Sequence, residues 1–412
     1  MPNLPRYAAL QHRNFVLLWL GLIVSNVGTW VQDVAEGWLV LQLTDSPLWL
    51  GMLGLSFALP MVLLPLVGGA VVDRVDRIRL LYVTQTALML MSFGLALLVW
   101  LNLVTVWLLL TASFINAGLL AFDNPARRAL LPDLVPKSDL MNAMSLSAAT
   151  HNGTALIGPA IAGALIGPLG VGTLFLLNGI SYLAVLMALR AMRDVPTHSG
   201  GVHSSFGRSM LLGLAYAWRT RFILVLLVLS ALTAIFGRSY RNLLPIFARD
   251  IWQSGAQGYG LLLSATGAGA LVGAFGLASI RRLKRHGSLL IASGLLLSVS
   301  VILFALSTSL VMGIIFLFSG GVTATVFGTI IATFIQVEVP PELRGRIMSL
   351  YTITLIGFPS LGALGVGALA ELLGGIPGAP RAVLIGGIIV GVVLLLVSPY
   401  LRHHDIEAGN KG

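Results

Sequence analysis

Two pairs of ionisable residues stand inside apolar stretches of this chain. Asp33 and Glu36 lie in the run 15–43, and Arg238 and Arg241 lie in the run 222–247. Each pair is spaced i, i+3, which puts both members on one face of a helix. A charge at the middle of a bilayer-spanning helix costs about 2.5–3.5 kcal/mol on insertion scales, so groups kept there mark functional positions. Carboxylates can hold a cation or take up a proton, and guanidiniums can hold an anion. Asp33 stands 18 positions after Phe15, and Arg238 stands 16 after Phe222. That spacing predicts similar depth, in the outer half of the membrane. One expectation is attraction between the acidic and basic pairs, closing an outer gate. The alternative is that each pair is solvated in a cavity or matched within its own half. Proton coupling through Asp33 or Glu36 stays open beside both, because burial and nearby arginine act oppositely on a carboxylate.

Weaker polar signals surround these pairs. Asn26, Gln32, His151, Asn152, Asn178, Tyr240, Asn242 and Gln336 fall within apolar runs and are candidate cavity linings. A lone intramembrane histidine is more often packed and hydrogen-bonded than a proton carrier. Asp123, close to Pro125, Arg127 and Arg128, is expected in a charge network with Arg74 or Arg77 rather than at a ligand. No phosphate-binding loop, metal-ligand cluster or hydrolase triad is present, and cysteine is absent. Thiol chemistry is excluded, and neither ATP-driven transport nor membrane enzymology has support. No cofactor is expected; a proton gradient is the expected energy source.

The elements that must position these groups follow from composition. Of 412 residues, 57% are hydrophobic and 10% charged, against about 25% charged in soluble domains. Lipid must cover most of the surface. Runs of spanning length occur at 15–43, 48–72, 80–101, 105–130, 140–166 and 171–191. The second set is 222–247, 259–280, 288–306, 310–337, 347–372 and 382–401. The fold class expected is an all-α polytopic membrane protein of about twelve spans, in two pseudo-symmetric six-helix lobes. Residues 1–193 form the first lobe, 194–221 a cytoplasmic linker and 222–412 the second lobe. The later part of the linker, SFGRSMLLGLAYAWRTRF, reads either as an amphipathic interfacial helix or as ordinary connecting chain.

Assigning the N-terminus and every second loop to one side gathers twenty-one Lys and Arg residues there. The opposite loops hold only Arg249 and Arg381. By the positive-inside rule both termini are cytoplasmic in a multi-pass cell-membrane protein. The net charge of +10 has the same cause, so no nucleic-acid partner is expected. The partners expected are lipid and a small-molecule substrate, with no obligate protein partner.

The halves are related. A shift of 204 residues carries Pro136 onto Pro340, Met144-Ser145-Leu146 onto Met348-Ser349-Leu350 and Thr150 onto Thr354. It also carries Gly158 onto Gly362 and Gly163-Ala164-Leu165 onto Gly367-Ala368-Leu369. Parallel repeats about an axis normal to the membrane suit two lobes that rock around a midplane site.

GGAVVDRVDRIRLL, from Gly68 to Leu81, resembles the loop motif of the major facilitator superfamily through Gly69, Asp73, Arg74, Arg77 and Arg79. Asp76 stands where a second glycine is usual. The resemblance implies a cytoplasmic latch between lobes, with the aspartate near the start of span eleven; a solvated charged turn is the plainer reading. GPAIAGAL, with Gly158, Pro159 and Gly163, resembles the glycine-proline motif of drug exporters and antiporters, with Thr154 in place of an earlier glycine. Tight helix packing explains it equally well. The segments 29–51, 122–146 and 339–350 resemble the transmembrane secretion effector branch, which groups with macrolide and siderophore exporters. This implies a secondary transporter, exporting amphipathic or hydrophobic molecules by proton-coupled alternating access. Rival readings are a siderophore, lysophospholipid or metabolite carrier of the same fold, or a non-transporting receptor or assembly factor.

Overall fold

The computed structural model describes residues 8–64, 75–193, 206–279 and 286–409, and all regular structure there is helical. The first half contains α1 (Arg13–Thr44), α2 (Pro47–Leu63), α3 (Arg77–Trp100) and α4 (Val106–Leu134). The run Leu140–Ala191 follows and holds two spans, α5 and α6, divided at Gly170 with φ 74° and ψ 161°. No atom would obstruct a Cβ at Gly170, so its backbone conformation alone calls for glycine. After α7 (Phe206–Arg219), the second half runs α8 (Arg221–Gly237), α9 (Gly255–Ser279), α10 (His286–Ala305) and α11 (Leu310–Glu338). Span eleven is the pair α12 (Pro341–Ile356) and α13 (Phe358–Leu372), and α14 (Ala379–Gly409) closes the chain.

Ten of these helical runs are long and apolar enough to cross a membrane, one of them being the double run divided at Gly170; Pro47–Leu63 is a shorter apolar helix. The twelve expected spans are thereby accounted for. Large apolar side chains point outward, with Leu90 60%, Phe275 73% and Leu396 75% exposed. In water such a surface would aggregate; in lipid it is the expected covering.

Contacts divide the chain into two compact units. One comprises Met1–Leu43 and Ser56–His203, the other Thr44–Leu55 and Ser204–Gly412. In the first, Phe15, Leu18, Leu81, Leu130 and Leu189 pack into a common core. Near it, His12 Nε2 lies 2.8 Å from Asp139 Oδ2, and this hydrogen bond holds the Asp139 carboxyl below the usual carboxylate range. In the second unit, Phe222, Leu226, Phe327, Ile347 and Tyr351 form the core. The later part of the linker is helical, and α7 packs with the second unit: Ala217 joins that core, and Gly213 lies against Arg346.

The repeat extends to capping and contacts. Thr105 and Ser309, again 204 apart, accept hydrogen bonds from the backbone N–H of Leu108 and Met312 at the starts of α4 and α11. Thr150 accepts from Trp19 Nε1 of α1 at 2.7 Å, while Thr354 and Ser230 of α8 bond each other at 2.7 Å. A Cβ on Gly158 would meet Trp30 of α1, and one on Gly362 would meet Ile235 and Ser239 at the end of α8. Spans one and five, and spans seven and eleven, therefore use corresponding small residues to approach closely.

Candidate functional site

In the first unit, three of the expected polar residues meet in one buried network. Gln32 Nε2 donates to Glu36 Oε1 at 2.7 Å. Gln32 Oε1 accepts from Ser92 Oγ at 2.8 Å and from Asn178 Nδ2 at 2.6 Å. Asn178 Nδ2 also lies 3.4 Å from the Tyr182 hydroxyl, and Asn178 Oδ1 accepts from Ser181 Oγ at 3.1 Å. α1, α3 and α6 are tied together in this way, and Gly28 makes room for Asn178 and Ser181 beside α1. Glu36 is 5% exposed and no cation pairs with it among the described residues; its charged neighbour is Asp33, which is half-buried. Ser92, Ser181 and Tyr182 are members that sequence reasoning missed. Isolated hydroxyls in apolar runs were the available signal. Asn26 is half-buried, and the side chains of His151 and Asn152 are exposed, outside this network.

Asp123 and the charges that follow α2 divide differently from expectation. Asp123 is fully buried and accepts from Thr84 Oγ1 at 2.7 Å and Gln85 Nε2 at 2.8 Å. Its other oxygen pairs with Arg127 one turn along α4. Arg77 instead reaches Asp133 at 2.5 Å and the Ala129 carbonyl at 2.9 Å. Asp123 is thus not the partner of Arg77: the i, i+4 geometry of α4 offers it a nearer guanidinium. Asp76 caps α3 by accepting from Arg79 N–H, a helix-start role that accounts for an aspartate where the motif usually has glycine. Gly69, Asp73 and Arg74 lie outside the described residues. Pro159 and Gly163 are buried within α5.

In the second unit, span seven is interrupted. α8 ends at Gly237, Arg238 leaves helical geometry with φ −123° and ψ −13°, and short turns continue from Ser239 to Ile251. Ser239 Oγ donates to the Ile235 carbonyl at 2.5 Å and lies 3.0 Å from the Pro359 carbonyl, close to Gly357 where α12 passes into α13. Backbone irregularity at membrane depth is tolerated where it is buried in protein or lines a cavity. Here it does both. Arg238 faces a cavity lined by Ser230, Thr233, Phe327, Tyr351 and Leu355. Tyr240 is buried with its ring 5.7 Å from Phe304, Arg241 is exposed at the turn, and Gln336 is exposed on α11.

The all-helical, two-unit, repeat-built architecture with polar groups inside apolar helices defines a membrane transporter. The chain matches the family described as transmembrane secretion effector over residues 5–410 and belongs to that family of major facilitator transporters. It is a multi-pass membrane transporter of small molecules, not an enzyme. It is 27% identical to the enterobactin exporter EntS of Escherichia coli (strain K12) over 400 residues, covering 95% of this chain and 93% of that protein. It is 26% identical to the staphyloferrin A transporter of Staphylococcus aureus over 251 residues. That match spans 60% of this chain and 62% of that transporter's length. The crystal structure of the nucleoside transporter NupG shares the fold, with a TM-score of 0.78 at 14% identity, over 94% of this chain and 98% of NupG.

Proposed function

We propose that this protein is a proton-coupled exporter of amphipathic small molecules, working by alternating access in a cell membrane with both termini cytoplasmic. The observation that carries the coupling assignment is Glu36, a buried carboxylate with one amide donor, an acidic neighbour and, among the described residues, no paired cation. A buried, unpaired charge is unfavourable, so proton uptake and release at Glu36 is a step that a gradient can drive. Asp33, one helical turn away and less buried, is the second candidate carrier. The positive-inside count supports the orientation. In cells lacking their major efflux pumps, accumulation of a compound panel is measured with and without an uncoupler. Glu36→Gln, which keeps the hydrogen-bonding shape, should abolish the uncoupler-sensitive component at unchanged membrane abundance. Wild-type-like, uncoupler-sensitive export by that variant would remove Glu36 from the coupling step.

A siderophore-class cargo is the second reading. What favours it is the likeness to an enterobactin exporter across nearly the whole chain. Uncoupler-sensitive release of a siderophore by cells expressing this protein, against none for hydrophobic dyes, would select it. An attraction between Asp33 or Glu36 and Arg238 or Arg241 as an outer gate is likewise a proposal. Reciprocal charge exchange tests it, with coupling of about 0.5–3 kcal/mol expected for interacting neighbours.

A further inference from the structure

Arg238 combines two properties that rarely coincide. It lies within a membrane-crossing run and faces a cavity in the second unit, yet no carboxylate lies within ion-pair distance of it among the described residues. The neighbouring guanidinium of Arg241 adds positive potential rather than neutralising it. Two of the other polar groups lining the cavity, Ser230 and Tyr351, are already engaged. Ser230 and Thr354 bond each other, and the Tyr351 hydroxyl donates to the Gly328 carbonyl at 2.7 Å. Phe327 and Leu355 supply apolar wall beside them. The end of α8 favours a cation at Arg238, since helix carbonyls converge there, but a helix end is a partial charge and leaves the guanidinium's N–H fork available.

We infer that Arg238 anchors the acidic group of an amphipathic substrate, a carboxylate or a phosphate- or sulfonate-type oxyanion. A planar guanidinium presents paired donors matched to two oxygens. Such a contact replaces the water that the arginine would otherwise need inside the membrane. This assignment rests on the exporter reading and gives that exporter's substrate a sign of charge.

The test uses the full chain in nanodiscs of zwitterionic lipid and three probes sharing one ring system: 1-naphthoate, 1-naphthylmethanol and 1-naphthylmethylammonium. Binding is measured calorimetrically without a gradient, so its outcome is separate from that of any coupling assay. The wild type should prefer naphthoate. Arg238→Gln should weaken naphthoate by about tenfold or more, the range of a lost charged hydrogen bond, and leave naphthylmethanol unchanged. Arg238→Lys should fall between them, because it keeps the charge but loses the fork; it also carries the comparison if the glutamine variant fails to fold. Equal affinity for naphthoate and the alcohol on the wild type, or indifference of naphthoate to Arg238→Gln, would overturn the assignment. A second arm adds phosphatidylglycerol to the discs. Loss of naphthoate in proportion to that lipid would assign the oxyanion site to a headgroup and overturn the substrate reading; undiminished binding supports it.

Discussion

Arg249 holds two carboxylates at once, Asp45 through Nη2 at 2.5 Å and Asp250 through Nε at 3.0 Å. Asp45 occupies the turn between α1 and α2 with a left-handed φ of 48°, and it belongs by its contacts to the second compact unit. Beside it, Ser46 Oγ donates to Glu371 Oε2 at 2.7 Å. Gly51 and Gly367 let the backbone of this turn and α13 approach closely. Asp45 is 70% exposed, so its pair with Arg249 contributes about 0–1 kcal/mol. Asp45→Asn should leave the melting temperature nearly unchanged. Cysteines at Ser46 and Glu371, in a chain with none of its own, should crosslink with a short thiol reagent. The crosslink should arrest transport until reduced. Efficient crosslinking with full transport would show that this contact need not open during the cycle.

Asp123 is a different case, because it is fully buried and paired with the half-buried Arg127. Removing one partner of such a pair leaves an uncompensated charge and costs about 3–5 kcal/mol. Asp123→Ala should therefore lower the thermal midpoint of the purified protein sharply. Asp123→Leu combined with Arg127→Met should recover much of the loss. Equal destabilisation by single and double replacement would show that Thr84 and Gln85, rather than the charge balance, set the stability of this cluster.

The paired glycines of the repeat give an internally controlled series. Gly158→Ala and Gly362→Ala each place a Cβ into a neighbouring helix, whereas Gly153 and Gly365 face open space. Overpacking should cost about 1–3 kcal/mol at the first two positions. Alanine at the other two should be neutral or stabilising, since glycine is a poor helix former. Thermal unfolding of the four variants in one detergent decides this, and equal midpoints would contradict the close approach.

Orientation is tested with single cysteines at exposed loop positions. Ser138→Cys, between α4 and α5, should react with a membrane-impermeant maleimide only after the cells are opened. Asn102→Cys, between α3 and α4, should react from outside intact cells. The reverse pattern would invert the orientation drawn from the positive-inside count.

Hydropathy alone placed most of the helices, because a bilayer demands long uncharged runs and those are visible one residue at a time. The break in span seven was less visible: Arg238 sits in a run that reads as continuous, and the Gly237 and Ser239 beside it are common in intact membrane helices. What lies beside it, Gly362 and the carbonyl of Pro359, comes from a span about 120 positions away. The network around Glu36 was half legible. Gln32 and Asn178 stood out as amides among apolar residues, but Ser92 did not, and their meeting depends on contacts 60 and 146 positions apart. The role of Asp76 as a helix cap also escaped a motif comparison, which sees a missing glycine and not a new hydrogen bond. Glu371 carried no sequence signal until the turn at Ser46 came beside it.

The attachment of Thr44–Leu55 to the second unit bears on how this protein can be recombined. A gene fusion that joins the first 203 codons to the remainder of a relative brings a hairpin tip selected against one α13 onto another. Gly51, facing Ala363, and Gly367, facing Pro47, tolerate little added volume. Functional hybrids should then be recovered mainly when codons 44–55 are inherited together with those of the C-terminal parent, so the natural crossover unit of this transporter is discontinuous.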